Sequence, residues 1–245
     1  MGSLDLTVLG CSGSYPGPGS ACSGYLVSDG TTTLWIDAGS GTLANLQRLA
    51  DAASLDAIVL SHEHPDHWSD LEGYVNLARF VLRRQHVPVY APGGLRSRTY
   101  GPTEPWLDWH AAADGGSARI GSLAVRFSRT DHPVETLAVR VDADGAALAY
   151  SADTGPGWSF EAFGPGLDLS LCEATLPAEG ADVRGHLTAA QAGTTARAAG
   201  AGRLVLTHLW PTLDPGRAAT EAAATFGSQV DVASVGARYT VGAGR

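Results

Sequence analysis

The sequence predicts an α/β fold that forms one domain over residues 1–245. In both halves of the chain, segments with the two-residue alternation of strands are followed by segments with the spacing of amphipathic helices. No linker separates the halves, which favours a single domain. One predicted strand also runs directly into a cluster of histidines and carboxylates, and polar residues at strand ends are typical of functional sites in α/β sheets.

The first part of the chain predicts three strands and a helix. Residues 4–9 alternate apolar and polar side chains, which is the pattern of a strand. Residues 24–28 and 32–37 predict a hairpin that turns at Asp29 and Gly30. Leucines at positions 43, 46 and 49 then give a helix one apolar face.

Residues 61–67 read Ser-His-Glu-His-Pro-Asp-His and follow the predicted strand at residues 56–60. Neutral imidazole and carboxylate are the ligands that a borderline divalent ion such as Zn²⁺ selects. Two histidines two residues apart, such as His62 and His64, are more often ordinary core or surface residues. With Asp66 and His67 added, a metal site becomes the favoured interpretation.

The segment after this cluster predicts a helix at residues 70–84 and a short strand at residues 87–90. Residues 91–117 are rich in Pro, Gly and aromatic residues and have no clear period, so they predict a long loop. Such a loop is either a lid or pocket wall, or a connector without a catalytic role. His86 and His110 have no patterned partner and are left unassigned.

The second half repeats the order of strand and helix, with strands predicted at residues 123–127, 137–141, 146–150, 167–171 and 203–207. Thr188 and Gln191 form a capping box at the start of one helix, which closes at Gly200. Asp214 and Pro215 begin the last helix, which ends at Gly227.

Three further polar residues lie at or just past the ends of predicted strands: His132, Asp153 and His208. Each is ambiguous alone, because a single histidine is usually a satisfied core or surface residue and Asp153 also suits a turn. Together with residues 61–67 they predict one site, since strand ends meet at one edge of an α/β sheet.

Composition limits the classes of function. The net charge of −9 argues against a nucleic-acid binder that relies on a basic surface. Three cysteines without a Cys-x-x-Cys pattern favour a reducing compartment, and no signal peptide or membrane-spanning segment is evident, so we expect a cytoplasmic protein without a membrane partner. A homodimer is kept as one alternative for the oligomeric state.

The motifs place the chain beside a known family. His62, His64, Asp66 and His67 form the pattern His-x-His-x-Asp-His, and the sequence resembles the metallo-β-lactamase fold superfamily, in particular its branch of tRNase Z and related phosphodiesterases. The resemblance covers nearly the whole chain and implies an αββα sandwich: two mixed sheets with helices on the outer faces. His132, Asp153 and His208 match the remaining metal ligands of that branch.

The resemblance implies two divalent metal ions, Zn²⁺ with Mn²⁺ or Fe as alternatives. One ion would be held by His62, His64 and His132 and the second by Asp66, His67 and His208, with Asp153 bridging them. Two such ions lower the pKa of a shared water and hold the attacking and leaving oxygens of an in-line displacement. Asp66 would also orient the attacking water.

Two further motifs resemble the tRNase Z branch. Glu173-Ala174-Thr175 matches part of its His-Glu-Ala-Thr segment, and His186-Leu187-Thr188 matches its His-Ser-Thr segment. The resemblance implies that His186, supported by Glu173, donates a proton to the leaving alkoxide. The alternative is a solvent-exposed pair near a helix start. Cys172 replaces the first histidine of the family segment, which puts the surroundings of the metal ligands there in doubt.

The favoured function is a phosphodiesterase for a small phosphodiester such as a cyclic nucleotide. tRNA 3′-processing is the next candidate, but the family enzyme carries a long tRNA-gripping arm between the third metal histidine and the bridging aspartate. Only twenty residues separate His132 from Asp153 here, so nucleic acid is the weaker expectation for a partner. The remaining candidates are a lactonase or β-lactamase-type hydrolase and a non-catalytic metal-binding protein.

Overall fold

The computed structural model describes residues 3–180 and 184–242. Within these residues the chain forms fourteen strands: β1 (Leu4–Gly10), β2 (Gly24–Ser28), β3 (Thr33–Ile36), β4 (Ala57–Val59), β5 (Val87–Ala91), β6 (Leu107–Ala111), β7 (Ser117–Ile120), β8 (Leu123–Arg129), β9 (Leu137–Ala143), β10 (Ala146–Tyr150), β11 (Leu169–Glu173), β12 (Arg203–Thr207), β13 (Asp231–Val232) and β14 (Arg238–Val241). The α-helices are α1 (Thr42–Leu49), α2 (Pro65–Trp68), α3 (Leu71–Leu77), α4 (Ala189–Ala198) and α5 (Pro215–Phe226).

The strands form two mixed sheets of seven strands each. The first sheet has the order β14-β1-β2-β3-β4-β5-β6, and the second has the order β13-β12-β11-β10-β9-β8-β7. In each sheet the earlier strands pair antiparallel as hairpins and the following strands pair parallel, for example β3 with β4 and β10 with β11, while β14 closes the first sheet antiparallel to β1. Parallel pairing requires crossover connections, which carry the helices to the outer faces.

Three apolar layers hold the sandwich together. The inner faces of the two sheets pack on each other through residues such as Val8, Val27 and Val139. The outer face of the first sheet packs on α1 and α3, and the outer face of the second packs on α4 and α5. The αββα sandwich that the sequence predicted is therefore confirmed.

The helix ends follow the local sequence. Thr188 caps α4: its hydroxyl accepts from the Gln191 N–H, and the Gln191 side chain accepts from the Thr188 N–H. Asp214 caps α5 by accepting a hydrogen bond from the Arg217 N–H, with Pro215 at the first helical position, and Gly227 ends the helix in a left-handed conformation. These predicted boundaries are confirmed. The helix predicted at residues 70–84 is α3, continued by one π-helical turn at Ala78–Leu82.

The prediction of a long loop at residues 91–117 is wrong in part, because β6 lies inside it and β7 begins at its end. β6 is an edge strand of the first sheet, and only Leu107 among its residues is buried. Its side chains therefore do not alternate regularly between buried and exposed. Arg98 from this segment forms a bidentate ion pair with Glu63, which borders the histidine cluster. A role as lid or pocket wall stays a prediction.

None of the helices within residues 3–180 and 184–242 combines the length and the apolar character that crossing a lipid bilayer requires.

Candidate metal centre

The seven predicted metal ligands meet at one edge of the sandwich. His62, His132 and Asp153 each follow the end of a strand (β4, β8 and β10) by three residues, and His208 directly follows β12. The short helix α2 accounts for the remaining three ligands: His64 is the residue before its first turn, and Asp66 and His67 lie within it. The prediction that strand ends bring these residues together agrees with their positions in the structure.

The ligand atoms fall into two groups. In the first, His64 Nδ1 lies 3.1 Å from His62 Nε2 and 3.1 Å from His132 Nε2. In the second, His208 Nε2 lies 3.1 Å from His67 Nε2 and 3.2 Å from Asp66 Oδ2. Ligand atoms on a tetrahedral Zn²⁺ are about 3.3 Å apart when the metal–nitrogen distance is about 2.0 Å, so both groups have the spacing of a metal site.

Asp153 lies between the two groups. Its Oδ2 is 3.5 Å from His62 Nε2, while its Oδ1 is 3.2 Å from His67 Nε2 and 3.4 Å from His208 Nε2. Within the described residues, the buried Oδ1 has no hydrogen-bond partner. A buried carboxylate oxygen without a partner calls for an explanation, and a cation between the groups supplies it. The residues therefore fit bound divalent metal, with the Asp153 carboxylate placed between the two groups.

The far nitrogens of these imidazoles are also fixed, which orients the near nitrogens toward the centre. His67 Nδ1 lies 2.7 Å from Asp37 Oδ2, and His132 Nδ1 lies 2.8 Å from the Gly185 carbonyl. His62 and His208 contact hydroxyl groups at the same position of the ring.

Asp37 is a functional residue that the sequence reasoning missed. It is fully buried, and besides His67 it accepts hydrogen bonds from the Tyr150 hydroxyl at 2.9 Å and from the Ser61 N–H at 2.8 Å. A signal was present, because Asp37 is the last residue of the strand predicted at residues 32–37 and directly follows β3, as His208 directly follows β12. No local motif marks it.

The predicted pair of Glu173 and His186 lies beside the metal groups. His186 Nδ1 is 3.0 Å from Glu173 Oε1, and the His186 ring stacks on His208 with 5.7 Å between centroids. Glu173 is fully buried, whereas the His186 side chain is 21% exposed. The pair is therefore not a solvated surface pair, although its catalytic role stays a prediction.

Comparison with known proteins identifies the family. The profile of the Beta-lactamase superfamily domain matches residues 32–209. The chain belongs to the β-lactamase superfamily. An uncharacterized protein of Mycobacterium tuberculosis is 38% identical to this chain over 253 residues, and the alignment covers 93% of this chain and 89% of the relative. The probable metallo-hydrolase YhfI of Bacillus subtilis is 32% identical over 243 residues, covering 95% and 98%. Ribonuclease Z of Mycobacterium bovis is 27% identical over 248 residues, covering 87% and 89%.

Solved structures agree with this superfamily assignment. The metallo-β-lactamase fold protein YhfI of Bacillus subtilis has a TM-score of 0.88 at 29% identity, covering 98% of this chain and all of that one. A diphosphatase of the PhnP family (TM-score 0.78, 19% identity, 96% and 97% covered) and human tRNase Z, short form (0.76, 22%, 96% and 98%), share the fold. This β-lactamase superfamily member is a metallo-hydrolase with His and Asp groups suited to metal.

The pKa shifts of the carboxylates and of two buried histidines at the candidate metal centre favour metal ligation. Burial by itself raises the pKa values of Asp66 and Asp153, but the charges of neighbouring histidines outweigh it and hold both pKa values below the usual range. Burial lowers the pKa values of His62 and His132, so both are neutral. Burial also opposes a charge on His67, yet the charges of Asp153 and Asp66 outweigh it and raise the pKa of His67.

Cys172 does not disturb the candidate metal centre. Successive residues of β11 point to opposite faces of the sheet, so Glu173 faces the centre and Cys172 faces away from it. Cys172 is fully buried in the outer apolar layer, and burial raises the pKa of its thiol. The doubt that Cys172 raised about the surroundings of the metal ligands is therefore removed.

The two unassigned histidines lie outside the candidate metal centre. His86 is exposed and pairs with Asp108, with 3.1 Å between Nδ1 and Oδ1. His110 lies on the edge strand β6 and stacks on Tyr90.

Proposed function

We propose that this metallo-hydrolase is a phosphodiesterase that acts on a small phosphodiester such as a cyclic nucleotide. The observation that carries the proposal is the His186–Glu173 pair beside the metal groups. An alkoxide leaving a phosphodiester needs a proton, and a positioned imidazolium supplies one.

The described residues would hold two divalent ions through the donor groups already given. The first ion would take His62, His64 and His132, the second Asp66, His67 and His208, with Asp153 shared. The imidazole-rich set suits Zn²⁺, with Mn²⁺ or Fe as alternatives. When bound, two such ions lower the pKa of a water between them and offset the negative charge of the phosphodiester.

His186 has the protonation state that an acid requires. Burial alone lowers its pKa, but the hydrogen bond and charge of Glu173 raise it from the usual 6.5 to about 9. In the imidazolium form, the Nδ1–H of His186 donates a hydrogen bond to Glu173, so the proton on Nε2 is available to the leaving oxygen. Glu173 cannot swing away, because backbone N–H groups of Thr154 and Leu187 also bind it.

Asp66 is held in place by the backbone of the first loop and by a metal-ligand histidine. Its Oδ2 accepts a hydrogen bond from the Ser14 N–H at 2.9 Å and faces His208 at 3.2 Å. One carboxylate oxygen fixed in this way leaves the second free to accept a hydrogen bond from the attacking water, which orients the water's lone pair toward phosphorus.

The length of the segment between His132 and Asp153 supports a small substrate. This segment forms only the β9–β10 hairpin, which turns tightly at Asp144 and Gly145. It has no room for an arm that grips tRNA, and the net charge of −9 disfavours a polyanionic partner. tRNA 3′-processing is kept as the second candidate because a ribonuclease Z is among the relatives.

The test is turnover of a substrate panel by the Zn²⁺- and Mn²⁺-loaded protein: cyclic nucleotides, a pre-tRNA, lactones and β-lactams. We expect hydrolysis of cyclic nucleotides and little cleavage of the pre-tRNA. The Asp153→Asn variant, which lacks the bridging carboxylate, is the negative control. Full metal loading with opening of lactones but no phosphodiester turnover would refute the proposal.

A further inference from the structure

Thr175 connects a metal-ligand histidine to a buried carboxylate. Its Oγ1 lies 2.6 Å from Glu173 Oε2 and 2.7 Å from His208 Nδ1. A hydroxyl has one proton, and an ionised carboxylate can only accept. The Thr175 proton therefore goes to Glu173, which is a stronger and nearer acceptor than the His208 carbonyl at 3.0 Å. The Thr175 oxygen is left to accept a proton from His208 Nδ1.

Ser61 repeats this arrangement in the opposite half of the sandwich. Its Oγ lies 2.8 Å from Asp37 Oδ2 and 3.0 Å from His62 Nδ1. The same proton accounting makes Ser61 donate to Asp37 and accept from His62 Nδ1–H. All of these groups are fully buried, so water does not compete for the hydrogen bonds.

Each carboxylate thus holds one histidine directly and a second through a hydroxyl. Asp37 binds His67 directly and His62 through Ser61. Glu173 binds His186 directly and His208 through Thr175. The histidine at the far end of each relay belongs to a different ligand group: His62 to the first and His208 to the second.

We propose that Ser61 and Thr175 are matched positioning residues, each serving one metal of the pair by fixing a ligand histidine with its proton on Nδ1. This rests on the proposed roles of His62 and His208 as metal ligands. A proton fixed on Nδ1 leaves the Nε2 lone pair directed at the metal, and outer partners of this kind affect metal affinity by about 10- to 100-fold. Ser61 serves the first ion, and Thr175 serves the second.

The first test needs no substrate, and substitutions serve only to assign the signals. In the metal-free protein with ¹⁵N-labelled histidine, NMR of the imidazole rings reports which nitrogen carries the proton. We expect the Nδ1–H form for His62 and His208, assigned by loss of each signal in the His62→Ala and His208→Ala variants. An Nε2–H form at either histidine overturns the proposal for the hydroxyl that contacts it.

The second test measures Zn²⁺ affinity by competition with a chelating dye. The double variant His64→Ala/His132→Ala removes two donors of the first group, and neither residue contacts either hydroxyl, so this background retains the second site. Adding Thr175→Val, which keeps the side-chain shape, is expected to weaken the remaining site about 10- to 100-fold. Adding Ser61→Ala is the matched control and is expected to leave it nearly unchanged, because His67 keeps its direct bond to Asp37. Thr175→Ser is expected to restore the affinity.

The proposal that each hydroxyl serves one ion is overturned if Thr175→Val and Ser61→Ala weaken Zn²⁺ binding equally, or if Thr175→Val does not weaken it. Neither test uses turnover, so a protein with the expected tautomers and Zn²⁺ affinities that hydrolyses no phosphodiester would sink the proposed function and leave this inference standing. Conversely, a protein that hydrolyses phosphodiesters but lacks the expected tautomers or Zn²⁺ affinities would overturn this inference and leave the proposed function standing.

Discussion

Replacing His186 by alanine tests the chemistry of the site most directly. The hydrogen bond and charge of Glu173 raise the His186 pKa from the usual 6.5 to about 9, which favours the imidazolium form at neutral pH. The side chain is therefore in the donor form when the leaving oxygen departs. Removing a positioned general acid costs about 10²- to 10⁴-fold in rate, or about 3–5 kcal/mol of transition-state stabilisation.

The cost depends on the leaving group, and this dependence makes the assay specific. A ribose oxygen of a cyclic nucleotide leaves as a strongly basic alkoxide and needs the proton. A p-nitrophenolate leaves readily without one. We therefore expect His186→Ala to lower kcat for a cyclic nucleotide by about 10²- to 10⁴-fold, and to change kcat for bis(p-nitrophenyl) phosphate far less. His86→Ala, an exposed histidine paired with Asp108, is the matched control.

The pH profile provides an independent readout. Because the protonated form is the donor, kcat for the cyclic nucleotide is expected to fall as the pH rises through the pKa of His186. Bound cations lower that pKa electrostatically, so the fall lies at or below about pH 9. The fall should disappear in His186→Ala. Equal slowing of both substrates, with zinc content unchanged, would refute the acid role and leave His186 with a structural one.

Three further substitutions have defined outcomes. Glu173→Gln removes the charge that raises the His186 pKa, so the basic limb of the kcat profile is expected to move to lower pH, whereas a fixed limb would contradict this origin of the pKa. Asp153→Asn removes the anionic bridge, and zinc analysis should show a loss of one or both ions, while two tightly bound ions would show that Asp153 is dispensable. Thr188→Ala removes the cap of α4 and should lower the free energy of unfolding by about 1 kcal/mol in urea titration, with Thr188→Ser as the control. An unchanged midpoint would mean that Gln191 alone sustains the helix end.

The strands that the sequence failed to predict share one property. They are β6, β7, β13 and β14, and these four are the edges of the two sheets. An edge strand pairs on one side only, and these four are short, with two to five residues, so their sequence pattern is weak even where burial alternates, as in β14. Its existence depends on a neighbour distant in sequence: β14 pairs with β1, with Val241 opposite Leu4. The interior strands, buried on both faces or alternating clearly, were predicted.

The site divides in the same way. The ligand cluster at residues 61–67 was readable because its spacing is local and is a property of the chain. Asp37 shares a strand-end position with the ligands but carries no motif, so its role shows only when His67 is seen 2.7 Å away. The roles of Ser61 and Thr175 were not readable, because a hydroxyl acquires direction only from a side-chain rotamer and a partner on another element.

The ligands of the metal centre come from both halves of the sandwich. His62, His64, Asp66 and His67 extend from the first sheet, while His132, Asp153 and His208 extend from the second. An ion held across this boundary has affinity for the closed sandwich and little for chains whose sheets have separated. At a free concentration 100 times the dissociation constant, such an ion adds about 2.7 kcal/mol to the free energy of unfolding. The supply of metal in the surroundings would therefore set the stability of the folded protein in addition to the proposed activity.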